Sequence, residues 1–140
     1  MWHNASTHEM FPSQKFHSFF QLFHSCYYIL FYSALSFGIG GKGSGVQWHV
    51  HGPGFSESIY GSKHWVLYPP DQKPTYDPDY TSRHWMEEVY TFLPKSELPY
   101  ECTLEPGEMI YFPDGWHHAT INLSEYTAFI STFTTEHGFQ

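Results

Sequence analysis

Positive charge is scarce in this sequence: six Lys and Arg stand against fourteen Asp and Glu among 140 residues, a formal net charge of -8. No run of basic residues occurs anywhere. The chain therefore lacks the patch needed to neutralise a phosphate backbone, which argues against a nucleic-acid partner. Cysteine is equally sparse. Cys26 and Cys102 lie far apart and in no Cys-x-x-Cys pair, so a zinc ribbon and a thioredoxin-type redox motif are both unsupported. The two read either as buried thiols or as one disulfide in an oxidising compartment. The length allows one domain with a single core.

Charge of either sign is missing between Phe16 and Gly41. Within that window FFQLFHSCYYILFYSALSF, Phe19 to Phe37, has about the length needed to cross a bilayer. Gln21, His24, Ser25, Ser33 and Ser36 inside it, with Lys15 as the single flanking charge, favour an aromatic segment packed on the domain over membrane insertion through 19–37. A third reading takes residues 1–35 as an artefact of the gene model. Asn4-Ala5-Ser6 and Asn122-Leu123-Ser124 match the N-glycosylation acceptor pattern, which is usable only in a secretory compartment.

What the chain has in abundance is aromatic side chains, 21% of its residues, accompanied by Thr and Ile, and these are strand formers. Two organisational units follow. Residues 1–35 are an atypical, aromatic-rich N-terminal segment with few turn signals. Residues 36–140 break into short runs punctuated by Gly and Pro.

Eight strands are expected in that second unit: LSFGIG, VQWHV, FSESIY, HWVLY, YECTL, MIYF, HHATINL and TAFISTF. Glu105-Pro106-Gly107-Glu108 has the residues of a type II turn between two of them. One helix is expected, in TSRHWMEEVY, with Thr81 or Ser82 as its cap and Trp85 and Val89 as an i, i+4 apolar pair. Eight antiparallel strands with one longer insertion predict an all-β jelly roll, a double-stranded β-helix of the cupin type with one short inserted helix.

Trp48-His49-Val50-His51 carries the chemistry. Alternate side chains on a strand share a face, so His49 and His51 are expected to project together into the barrel. A third nitrogen ligand is available from His117 or His118, near the start of a late strand, and such a donor set suits Fe, Zn, Cu or Ni. In a chain with eleven histidines the pair also arises by chance, as surface or hydrogen-bonded side chains, so its context has to decide.

That context resembles the JmjC family. FGIGGKGSGVQWHVHGPGFSESIYGSKHWVLYPP followed by EPGEMIYFPDGWHHATINL is similar to the family's barrel over residues 36–140. The resemblance implies Fe(II) held by His-x-Asp/Glu and a distal His, and 2-oxoglutarate held by the iron and a lysine. Carried onto this chain it makes His49 the first ligand, places His51 at the carboxylate position, and makes His118 the distal ligand in preference to His117. No catalytic residue beyond this metal centre is implied.

Lys63, in Gly-Ser-Lys, matches the lysine for the far carboxylate of 2-oxoglutarate, a charge-assisted contact. Thr132 stands where many members have an Asn on the last strand, and is expected beside the co-substrate. Val46 replaces a common Thr. Glu57 is a further carboxylate within reach in sequence.

The departure at His51 divides the functional expectations. One is an Fe(II)- and 2-oxoglutarate-dependent protein hydroxylase with a variant His-x-His and His site. The other is a catalytically inactive JmjC fold that binds protein partners in the secretory pathway. The resemblance implies the endoplasmic reticulum lumen, with the cytoplasm as alternative.

Overall fold

The computed structural model describes residues 33–134, and within them the chain forms seven strands and one short α-helix, followed by two single turns of 3-10 helix at Tyr90–Phe92 and Lys95–Glu97. In order these are β1 (Ser33–Gly41), β2 (Gly54–Tyr60), β3 (Lys63–Tyr68), α1 (Ser82–Glu88), β4 (Tyr100–Leu104), β5 (Met109–Phe112), β6 (His117–Asn122) and β7 (Tyr126–Thr134). Two antiparallel sheets face one another, one ordered β1-β7-β2-β5 and the other β4-β3-β6. This is the all-β jelly roll expected from the sequence. Leu35, Ser36 and Phe37, the last residues of the apolar stretch considered as a membrane span, belong to strand β1 and pair with β7. No described helix is long and apolar enough to cross a membrane.

The local signals produce the elements they should. Gly107 takes a φ of +84°, and the Glu108 N–H donates to Glu105 O at 2.9 Å, which closes the turn between β4 and β5. The Thr81 hydroxyl accepts from His84 N at the start of α1, satisfying one of the helix's free donors. Trp85 and Met86 of α1 are buried against the outer side of the three-stranded sheet, where Val66, Tyr68 and Ala119 complete an apolar layer. Trp48 joins it, its ring edge-on to Trp85 at 4.9 Å.

The inner face of the same sheet carries Trp65, Leu67 and Leu104, which form a second cluster with Phe112 of the facing sheet. Strand β3 is thus covered on both sides, which explains its nearly continuous apolar run.

The expected strand VQWHV does not form. Asn122 N donates to Ser44 O and Thr120 N to Val46 O, whereas His49 and His118 exchange both backbone hydrogen bonds. From Ser44 to His49 the chain advances five residues while β6, from Asn122 to His118, advances four. The extra residue breaks the ladder as a bulge does, leaving a single bridge at His49.

In the four-stranded sheet, β1 and β2 turn large apolar residues outward, the reverse of an ordinary half-buried sheet. Its inner face mixes small polar side chains, Ser56, Ser58, Thr127 and Ser131, with the rings of Phe112, Phe129 and Phe133, and Ser131 Oγ donates to Ser56 Oγ at 2.7 Å. On its outer face Leu35, Phe37, Ile39, Phe55 and Ile59 are exposed.

Candidate metal and anion site

His49, His51 and His118 meet inside the barrel, with one ring nitrogen of each within 4.8 Å of the others. The broken ladder is what delivers the first two: the bridge to β6 holds His49, and the next residues leave the sheet before the Gly52-Pro53-Gly54 turn. His118 comes from the centre of the second sheet and is 1% exposed. His117, one residue earlier, is half-buried and lies outside this cluster.

Each ring is oriented by a backbone carbonyl at its Nδ1: Gln47 O at 2.6 Å for His49, Gly52 O at 2.8 Å for His51, and Trp116 O at 2.9 Å for His118. A carbonyl only accepts, so Nδ1 carries the proton and the Nε2 lone pair is left free in all three. That is the second-layer hydrogen bonding that orients imidazole ligands towards a metal. Burial lowers the pKa of His49 below its ordinary value, and lowers His118 to about 3, the neighbouring His49 adding to the effect. Neutral rings are the ligand form.

Aromatic walls enclose the cluster. Phe133 stacks on His51 at 4.3 Å, and Phe112 stacks on His118 at 4.8 Å. Among the described residues no carboxylate joins the three histidines. Glu57 lies on the outer side of β2, between the buried Ser56 and Ser58, and turns away from them.

Lys63 lies on the same face of the sheet as His118. The register pairs Lys63 with Asn122, Trp65 with Thr120 and Leu67 with His118, so the lysine and the histidine mark two ends of one inner row. Lys63 is 1% exposed, and among the described residues it is the one formally charged side chain that is buried. Its Nζ donates to Asn122 Oδ1 at 3.0 Å and sits over the Phe129 ring at 4.0 Å. Both partners are neutral, and desolvation lowers its pKa to about 8.

A buried ammonium with only an amide and a ring for company is poised for an anion. Trp65 Nε1, buried in the same inner row, also lacks a hydrogen-bond partner. The residues therefore fit both a divalent metal at one end and a carboxylate at the other.

Thr132 is not part of this site. Along β7 the buried positions are Thr127 and Ser131, and Thr132 alternates to the exposed outer face, where it pairs with Leu35 and Phe55. Asn122 was missed as a site residue. His118, Thr120 and Asn122 share a face by the period of two, a signal that was present but was obscured by the glycosylation pattern at Asn122. That asparagine is buried and engaged with Lys63 and Ser44, so it is inaccessible to glycosylation in this fold. Asn4 and Cys26 lie outside the described residues.

The family model described as a cupin-like domain matches residues 39–134. The chain belongs to the cupin-like (JmjC) family. It is 55% identical over 100 residues to JmjC domain-containing protein 8 of Homo sapiens, covering 71% of this chain and 38% of that protein. The JmjC relatives also include a 2-oxoglutarate and iron-dependent oxygenase of Mus musculus, 33% identical over 79 residues, covering 51% of this chain and 18% of the relative. The chain spans well under half the length of these relatives. Among solved structures, Bacillus subtilis oxalate decarboxylase superposes with a TM-score of 0.50 at 17% identity, over 78% of this chain and 22% of that one, a likeness of fold alone.

Proposed function

We propose that this chain is the JmjC barrel of an Fe(II)- and 2-oxoglutarate-dependent protein hydroxylase, with an all-histidine triad replacing the usual two histidines and one carboxylate. The observation that carries the reading is Lys63, a buried cation without an anionic partner in the same inner row as His118. The murine relative's name supports the choice of metal and co-substrate.

His49, His51 and His118 would hold the metal through Nε2. Lys63, oriented by Asn122, would bind the far carboxylate of 2-oxoglutarate, while Phe112 and Phe133 keep water from the histidines. The bound pair would supply oxygen activation, with 2-oxoglutarate as the electron donor. The substrate class is a protein side chain, and the compartment we assign is the endoplasmic reticulum lumen.

His51 favours a second reading. Its neutral imidazole leaves the metal one charge more positive than a carboxylate would, which disfavours high-valent chemistry. On that reading the fold retains a metal but is catalytically silent, and it acts as a protein-binding module of the secretory pathway.

Both readings meet in one experiment. The full chain is loaded anaerobically with Fe(II), its metal content is measured, and succinate release from 2-oxoglutarate is followed alongside His118→Ala. Metal retention and succinate release that disappear together in the variant support the hydroxylase. Retention without turnover, with turnover appearing in His51→Asp, supports the silent fold, and failure to retain metal removes both.

A further inference from the structure

Strand β3 sends Lys63, Trp65 and Leu67 to the inner face, and β6 sets Asn122, Thr120 and His118 opposite them. Trp65 therefore occupies the middle of the row, between the buried ammonium and the histidines. The strand from Lys63 to Leu67 extends about 13 Å. A five-carbon dicarboxylate measures about 5 Å between its end carbons, so a molecule reaching from the metal at one end towards Lys63 at the other runs alongside Trp65.

The indole of Trp65 is a donor without an acceptor. It is 4% exposed, and its Nε1 has no hydrogen-bond partner. Its register neighbours supply none: the Thr120 hydroxyl is engaged by the Val46 N–H at 3.0 Å, and Cys102 offers no side-chain oxygen. Its ring stacks against Phe112 and against His118, both at 5.7 Å. Trp85 gives the contrast, because it is equally buried and its Nε1 donates to Thr75 O at 2.8 Å. Trp48 Nε1 is also unpartnered, but it belongs to the outer layer and not to this row. A buried donor left empty weighs against the folded state. The same row already holds a second donor with no anionic acceptor, Lys63 Nζ. Two such donors on one face are the complement of a ligand rich in carboxylate oxygens.

We propose that the Trp65 Nε1–H donates to a carboxylate oxygen of the co-substrate, so that the indole and Lys63 together select a dicarboxylate. The assignment rests on the co-substrate being 2-oxoglutarate, as proposed for this site. The bond is charge-assisted and shielded from water, the setting in which a single hydrogen bond weighs most. One side chain then does two things: its ring faces cover Phe112 and His118, and its polar edge takes the anion.

The test uses the full chain loaded with Zn(II), which is diamagnetic and supports no turnover, with isotope-labelled indole nitrogens read by magnetic resonance. Titration with 2-oxoglutarate is expected to move the Trp65 indole proton downfield and to slow its exchange with water. The Trp85 indole, already bonded to Thr75 O, should stay in place. A second measurement replaces Trp65 by benzothienylalanine, which exchanges the ring N–H for sulfur at nearly constant shape. The 2-oxoglutarate dissociation constant from calorimetry should then rise roughly tenfold or more, with zinc content unchanged. Saturation of the parent without movement of the Trp65 resonance, or an analogue that binds as tightly as the parent, overturns the role of Trp65 and leaves the 2-oxoglutarate site standing. A parent that binds no 2-oxoglutarate overturns both.

Discussion

Lys63→Met separates the fold's interest from the site's. The lysine's pKa falls from 10.5 to about 8 on folding, so its charged form carries a penalty of roughly 3 kcal/mol at neutral pH, at about 1.4 kcal/mol per pH unit. Methionine keeps an unbranched side chain one atom shorter and removes the charge. Against that gain stand the hydrogen bond to Asn122 and the contact with the Phe129 ring, together worth about 1–2 kcal/mol. The metal-free variant is therefore expected to be more stable than the parent by about 1–2 kcal/mol in urea denaturation at pH 7.

The sign with pH follows from proton counting. The unfolded chain holds the Lys63 proton up to its ordinary pKa, whereas the folded chain releases it from about 8. The parent's stability should therefore rise relative to the variant between pH 8 and 10.5, and the variant's advantage should shrink there. Saturating 2-oxoglutarate reverses the order at pH 7: at a hundredfold excess over its dissociation constant it adds about 2.7 kcal/mol to a protein that binds it, and nothing to the variant. A metal-free variant less stable than the parent, combined with no stabilisation of the parent by 2-oxoglutarate, would refute the reasoning.

Other substitutions probe the scaffold. A Cβ at Gly45 would run into the Thr120 carbonyl, which is backbone and cannot yield, so Gly45→Ala should lift the 44–49 segment from β6. Reduced metal retention at unchanged far-ultraviolet dichroism is the expected outcome. Phe112→Ala removes a 1% exposed ring that packs on Trp65, His51 and His118, at a cost of about 3–5 kcal/mol by denaturant titration. Thr132→Val, on the outer face, should leave the 2-oxoglutarate dissociation constant unchanged in calorimetric titration. Thr81→Ala should cost about 1 kcal/mol through loss of the α1 cap, again by denaturant titration.

The features legible in the sequence were those set by near neighbours. A proline-glycine pair makes the turn before β5 whatever surrounds it, and a threonine ahead of Ser-Arg-His-Trp caps α1 because its hydroxyl reaches a donor three residues on. His49, His51, Lys63 and His118 were also legible, through the similarity of their flanking segments to the JmjC barrel. Thr132 was misplaced because a period of two says which residues share a face without saying which face is inside. In β2 it is serine that turns inward and phenylalanine and isoleucine that turn out, against the usual rule, whereas in β7 Phe129 and Phe133 turn in beside Thr127 and Ser131 and Thr132 turns out.

The sequence by itself determined a β-rich jelly roll, its single helix, and the histidines and lysine available for chemistry. Tertiary structure alone decided that His49 meets His118 through one isolated bridge, that Asn122 belongs to Lys63, and that Glu57 and Thr132 stand outside. The physical reason is that an extra residue in one strand, or a register between strands far apart in sequence, costs little locally. It nevertheless reassigns every side chain beyond it from one face to the other.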